Sequence, residues 1–167
     1  SDTTDPVLSA APVAVTVACS TDIPSMVDLS WTDNCDGTGT VTGVDGAQVG
    51  DDCGGSITRT WTYIDGCGNS ATTSQVITIS DTTDPVLDAA PGAVTVECAS
   101  DIPVMIDLSW TDNCDGSGTV TGVDGAQVGD DCGGTITRTW TYTDGCGNSA
   151  TTSQIITISD TTDPILS

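Results

Sequence analysis

The hexapeptide Ser-Asp-Thr-Thr-Asp-Pro begins at Ser1, again at Ser80 and again at Ser159, 79 residues apart each time. Of the 79 positions in the first block, 68 carry the same residue in the second. Such a chain cannot be organised around one core that spans it. Each copy must form its own unit, and whatever one copy does the other repeats. The sequence therefore divides into a repeat at 1–79, a repeat at 80–158, and a segment at 159–167 that reads as the linker and first strand of a further repeat. Ile165 and Leu166 would have no sandwich of their own to enter. The expected assembly is a one-dimensional, head-to-tail filament of identical repeats, either as one long chain or as subunits that exchange a strand.

Units of this size bury only about 60% of the surface their unfolded chain exposes, so their cores are thin and gain from covalent staples. Each repeat carries four cysteines: Cys19, Cys35, Cys53 and Cys67, then Cys98, Cys114, Cys132 and Cys146. An even, matched set in a small repeat points to disulfides and an oxidising, extracellular compartment. The spacings of 16, 18 and 14, with no C-x-x-C and no histidine, argue against zinc.

The charge is one-sided. Twenty-four Asp and Glu face two arginines, with no lysine, for a net charge of −22. A surface of this sign repels phosphates, so neither nucleic acid nor an anionic membrane is an expected partner. No apolar run is long enough to span a bilayer as a helix, so membrane insertion is not expected.

Val, Ile, Thr, Gly and Asp dominate each repeat, the composition of strands and turns. Val15, Val17 and Cys19 share one face of AVTVAC; Val27, Leu29 and Trp31 share one face of MVDLSWTD. A third short strand is GTVTGV. In SITRTWTYID, Ile57, Arg59, Trp61 and Tyr63 alternate with threonines, and TSQVITIS turns Ile77 and Ile79 inward. Short period-2 strands between Gly, Asp, Asn and Pro turns predict an all-β protein, a tandem array of immunoglobulin-like β-sandwich domains. Cys67 lies in a DGCGN turn and not in a strand, so it is not the usual mid-core cysteine of that fold. Trp31 and Trp61 have the parity of core residues, and Arg59 is expected to pair with an aspartate at the end of the sandwich.

The motifs VTVEC, TDNCDG, ITRTWTYTDGCGNSAT and ITISDTTDP, in that order, resemble the hyalin-repeat-like, immunoglobulin-like modules of secreted Bacteroidetes-type surface proteins. The resemblance covers the whole repeat. It implies a sandwich with Cys19 and Cys67 at one pole and Cys35 and Cys53 at the other. The pairing that follows is Cys19–Cys67 and Cys35–Cys53, with Cys98–Cys146 and Cys114–Cys132 in the second copy.

The acidic residues collect in turns. Asp33, Asp36, Asp51 and Asp52 are placed at one pole by this reading, Asp65 and Asn69 at the other. Calcium takes six to eight oxygen ligands, which aspartate-rich junctions supply. The expected ligands are Asp2, Asp5, Asp65 and Asn69 for the first repeat and Asp81, Asp84, Asp144 and Asn148 for the second, with Asp33 and Asp36 as further candidates. Extracellular immunoglobulin-like repeats that hold calcium with a D-x-x-G-N turn and linker aspartates are similar. The plainer reading is that Asp and Asn suit turns and keep a secreted surface soluble. Asp-Thr-Thr resembles the O-glycosylation acceptor of Bacteroidetes, which nominates Thr3, Thr82 and Thr161. No catalytic residues are expected, since aromatics are 4% and any site would be duplicated. The functional expectation is a structural module of an extracellular filament or adhesin stalk, stiffened by interdomain calcium and intradomain disulfides. The alternative is a repeated module that binds a glycan, a surface ligand or a protein partner.

Overall fold

The computed structural model describes residues 2–130 and 132–165. The chain divides between Thr82 and Thr83 into two compact units. Among the described residues there is no α-helix, and each unit is a β-sandwich.

The first unit runs β1 (Val7–Leu8), β2 (Val15–Val17), β3 (Leu29–Asp33), β4 (Gly37–Val41), β5 (Val44–Asp45), β6 (Gly55–Ile64) and β7 (Ser70–Ile79). One 3₁₀ turn, Ser20–Asp22, follows β2. One sheet has the order β1-β3-β4 and the other β2-β7-β6-β5. All pairs are antiparallel except β2 with β7, where Val15 lies opposite Ile77 and Val17 opposite Ile79. A parallel neighbour cannot be reached through a tight hairpin. Here it joins an early strand of the repeat to its last, so the two ends of the repeat are held in one sheet.

The core follows the alternation. Arg59 and Trp61 on β6 are buried, as are Gln75, Ile77 and Ile79 on β7 and Leu29 on β3. Trp61 is fully buried and its indole N–H donates to the Val27 carbonyl at 2.9 Å, which satisfies its polar end. The Gln75 amide donates to the Val13 carbonyl at 2.8 Å, a buried polar contact the pattern did not reveal. Two inward expectations change. Val27 precedes β3 and is 45% exposed, so its carbonyl and not its side chain serves the core. Trp31 is half-buried and stacks on Tyr63 with ring centroids 3.8 Å apart. Trp31 thus packs its ring on Tyr63 near the hairpin tips and not in the central core with Trp61.

The second unit repeats the plan with β8 (Val86–Leu87), β9 (Val94–Val96), β10 (Asp107–Asp112), β11 (Gly116–Thr121), β12 (Val123–Asp124), β13 (Val128–Asp130), β14 (Gly133–Thr143) and β15 (Ser149–Ser159). Its sheets are β8-β10-β11 and β9-β15-β14-β12, with β13 also on β14. Trp140, Ile156 and Ile158 are fully buried. The strand expected in 159–167 would fall on Ile165 and Leu166; Leu166 and Ser167 lie outside the described residues.

Gly43 meets the buried indole so closely that an added Cβ would stand 2.8 Å from Cε2 of Trp61 and 2.7 Å from Sδ of Met26. Gly43→Ala should therefore destabilise the first unit by roughly 1–3 kcal/mol. Urea unfolding followed by tryptophan fluorescence should split into two transitions, with only the first moved to lower denaturant. A single unchanged transition would show that the ring has room.

Candidate functional site

Two turns build the site. In the β3–β4 turn, Oδ1 of Asp33 accepts the backbone N–H groups of Cys35 and Asp36, both at 2.8 Å. This is the aspartate-capped turn that the side chain favours locally. In the β6–β7 turn, Oδ1 of Asp65 accepts the N–H groups of Cys67 at 2.9 Å and Asn69 at 2.7 Å. Gly68 takes the left-handed conformation there, φ 96°, which the tight reversal requires. Asp36 then joins the two turns: its Oδ2 accepts the Gly66 N–H at 2.9 Å and the Tyr63 hydroxyl at 3.1 Å. Both hairpin tips therefore lie at one end of the sandwich. The expectation that placed Asp33 and Asp36 at the opposite pole from Asp65 and Asn69 is corrected by these contacts.

At this end the carboxylates of Asp2, Asp33 and Asp65 converge, with an oxygen from each within 4.8 Å of the others. Asp65 is buried. Asp33 Oδ2 is buried as well and has no hydrogen-bond partner. Donors stabilise the charges in part. Asp2 Oδ1 accepts the Thr4 N–H at 3.0 Å and the Asn34 amide at 3.2 Å, and these bonds hold its carboxyl below the usual range. Burial opposes ionisation of Asp65, but bonds from Asn69, Cys67 and Gly68 outweigh it and its carboxyl is also lowered. The result is a cluster of three carboxylates with one buried oxygen of Asp33 unserved. Such a donor set suits a hard divalent cation, for which carboxylate and carbonyl oxygens are the preferred ligands.

The other nominated residues sort as follows. Asn69 turns its amide nitrogen to the cluster, donating to Asp65 Oδ2 at 2.6 Å and to the Asp2 carbonyl at 3.4 Å, so it orients carboxylates here. Asp5 and Asp84 are exposed, and Asp81 is buried. In the second unit Asp144 accepts from Cys146 and Asn148 as Asp65 does in the first, and Oδ2 of Asp112 is buried without a hydrogen-bond partner as in Asp33. Asp51 caps the turn before β6, accepting from Cys53 and Gly54, and Asp52 accepts the Gln48 amide. Thr3, Thr82 and Thr161 are exposed.

The cysteines depart from expectation. Cys19, Cys53, Cys114 and Cys146 are disulfide-bonded, while Cys35, Cys67, Cys98 and Cys132 are free thiols. None of Cys19–Cys67, Cys35–Cys53, Cys98–Cys146 or Cys114–Cys132 is formed, because each expected pair has one bonded and one free member. The physical reason is the shared end of the hairpin tips: Cys35 and Cys67 lie on turns that touch, not on opposite poles. The Cys35 thiol is raised, first by its hydrogen bond to Asp2, then by burial and by nearby Asp33 and Cys67.

Arg59 forms the other charged contact. It is 3% exposed, and it grips Asp45 on neighbouring β5 through two bonds of 2.6 and 2.9 Å, with Nη1 donating to the Pro24 and Ser25 carbonyls. Its partner is thus a cross-strand residue and not one at the end of the sandwich. The guanidinium holds the Asp45 carboxyl below its ordinary 3.8. A depressed carboxyl contributes stability above its unfolded value, and that contribution is lost as pH falls through the folded value. Asp45→Asn should lower stability of the first unit at pH 7 by about 1–2 kcal/mol, the lower part of the range for a charged bond because Asp45 is 37% exposed. The deficit should shrink below pH 4 in denaturant titrations. A deficit constant down to pH 2 would show that the pair's charge is immaterial.

Residues 7–79 and 86–158 each match the protein family described as a HYR-like domain with 4 cysteines. No curated protein matches the chain. Tandem domains of this kind, disulfide-bonded, fit an extracellular structural or adhesion module. Among the described residues no helix is long and apolar enough to cross a membrane.

Proposed function

From the premise that the chain belongs to the HYR-like domain family with four cysteines, we propose that it is a spacer segment of an extracellular filament or adhesin stalk, stiffened by calcium. The observation that carries the calcium reading is the convergence of Asp2, Asp33 and Asp65 around a buried, unserved carboxylate oxygen. Bound calcium would neutralise three like charges that otherwise oppose one another, with the Asp2 carbonyl and water as further oxygens. The spacer reading rests on sameness: 68 of 79 shared positions keep the same core, turns and ion pair in both copies. Identical repeats joined head-to-tail extend reach without adding a new surface. The fully buried Trp61 and Trp140 are not available as sugar-stacking platforms, which favours a stalk over a glycan-binding module.

Affinity of about 10⁻⁴–10⁻³ M is normal for extracellular calcium modules. At tenfold excess over the dissociation constant, linkage adds about 1.4 kcal/mol to the folded state. Calorimetry should therefore show a midpoint that rises with calcium and falls with chelator, and small-angle scattering should show a longer, stiffer particle with calcium. Asp33→Asn should remove the calcium response of the first unit's transition and leave that of the second, which keeps Asp112. The reading fails if calcium leaves both measurements unchanged, or if Asp28→Asn, at a carboxylate that accepts the Thr42 hydroxyl, has the same effect.

A further inference from the structure

The two copies hold different cysteines as thiols, and together they reveal a complete pairing. In the first unit Cys19 and Cys53 are bonded, while Cys35 and Cys67 are free. In the second, Cys114 and Cys146, the counterparts of Cys35 and Cys67, are bonded, while Cys98 and Cys132, the counterparts of Cys19 and Cys53, are free. Every position is thus found in a disulfide in one copy or the other.

Strand register explains which positions meet. Val17 and Gly55 both align with Ile79. Cys19 lies two residues beyond Val17 and Cys53 two residues before Gly55, so both leave the four-stranded sheet at the same end. Cys35 and Cys67 occupy the two hairpin tips at the opposite end, held together through Asp36 and Gly66.

The backbone hydrogen bonds beside each free thiol match those beside its bonded counterpart. At the hairpin tips, the Gly N–H to Asp bond is 2.9 Å where the cysteines are free and 2.9 Å where they are bonded. The Asp33-to-Cys35 and Asp112-to-Cys114 bonds are both 2.8 Å. At the other end, the Cys53 N–H reaches Asp51 at 3.1 Å and the Cys132 N–H reaches Asp130 at 3.0 Å. The turn after Cys19 and the turn after Cys98 each close with a 3.0 Å bond. These backbone bonds are thus the same, within 0.1 Å, beside a free thiol and beside its bonded counterpart.

We propose that each unit carries two disulfides, Cys19–Cys53 and Cys35–Cys67 in the first and Cys98–Cys132 and Cys114–Cys146 in the second, one clasping each end of each sandwich. The tip bond ties one sheet to the other. The opposite bond ties the β2 edge to β6 across β7. Each missing bond forms by thiol–disulfide exchange: two protein thiols and one small-molecule disulfide give one protein disulfide and two small-molecule thiols.

The test equilibrates the folded full chain with oxidised glutathione, blocks remaining thiols by alkylation in denaturant, and maps the non-reduced digest. Fragments long enough to include Thr38 or Ser117 tell the tip peptides of the two copies apart. All eight cysteines should resist alkylation, and the four proposed linkages should be recovered. Persistent alkylation of Cys35 and Cys67, or of Cys98 and Cys132, would overturn the proposal, as would recovery of Cys19–Cys67 or Cys35–Cys53. As a second measurement, Cys35→Ser should expose Cys67 alone to alkylation and leave Cys19 linked to Cys53. Exposure of Cys53 in that variant would also overturn it.

Discussion

The parallel pairing of β2 with β7 is the constraint on which the rest of each unit depends. It fastens an early strand to the last one, so the repeat closes on itself before the chain moves on. Once Val17 is set against Ile79, the position of Cys19 beside the start of β6 follows, and so does the separation of the two ends of the sandwich. Parallel pairs are slightly less stable per residue than antiparallel ones, and three residues of ladder are few. This pairing needs the buried row of Ile77 and Ile79 behind it and, at its end, a covalent tie.

The need for ties follows from the thinness of the core. In the first unit Leu29, Trp61, Ile77, Ile79 and Cys19 are the buried apolar residues, with Arg59 and Gln75 occupying interior positions that a larger domain would give to hydrocarbon. Those polar groups stay inside because each is bonded: Arg59 to Asp45 and two carbonyls, Gln75 to the Val13 carbonyl. Removing one partner would leave the other buried without compensation. Disulfides closing loops of this size contribute on the order of 3–5 kcal/mol through the unfolded chain, which is comparable with a small domain's whole stability. The same marginal core explains why strand alternation is kept so strictly in both copies.

Charge is handled locally. Asp33, Asp51 and Asp65 each spend one oxygen on backbone N–H groups of their own turn, so the acidic residues shape the loops before they act on anything else. What remains at the tip end is the second oxygen of Asp33, turned inward with no donor. A buried carboxylate oxygen left without a donor raises the free energy of the folded unit. A turn-forming role for aspartate is therefore compatible with the cation-binding role proposed for the same residue.

The repeat boundaries, the all-β class and the inward set of Arg59, Trp61, Ile77 and Ile79 were legible in the sequence because period-2 alternation and turn residues act over a few neighbours. The same locality made the turns of Asp33 and Asp65 visible as turns. It could not say that those turns touch, because that depends on how one sheet lies on the other. Asp36 reaching Gly66 is a contact across 30 residues of chain. From it follow the meeting of Asp2, Asp33 and Asp65, the meeting of Cys35 with Cys67, and the failure of the pairing that the immunoglobulin-like analogy implied. Trp31 shows the same division. Its parity gave the correct face, but only the tertiary contact with Tyr63 on β6 decided that it would be half-buried in a ring stack.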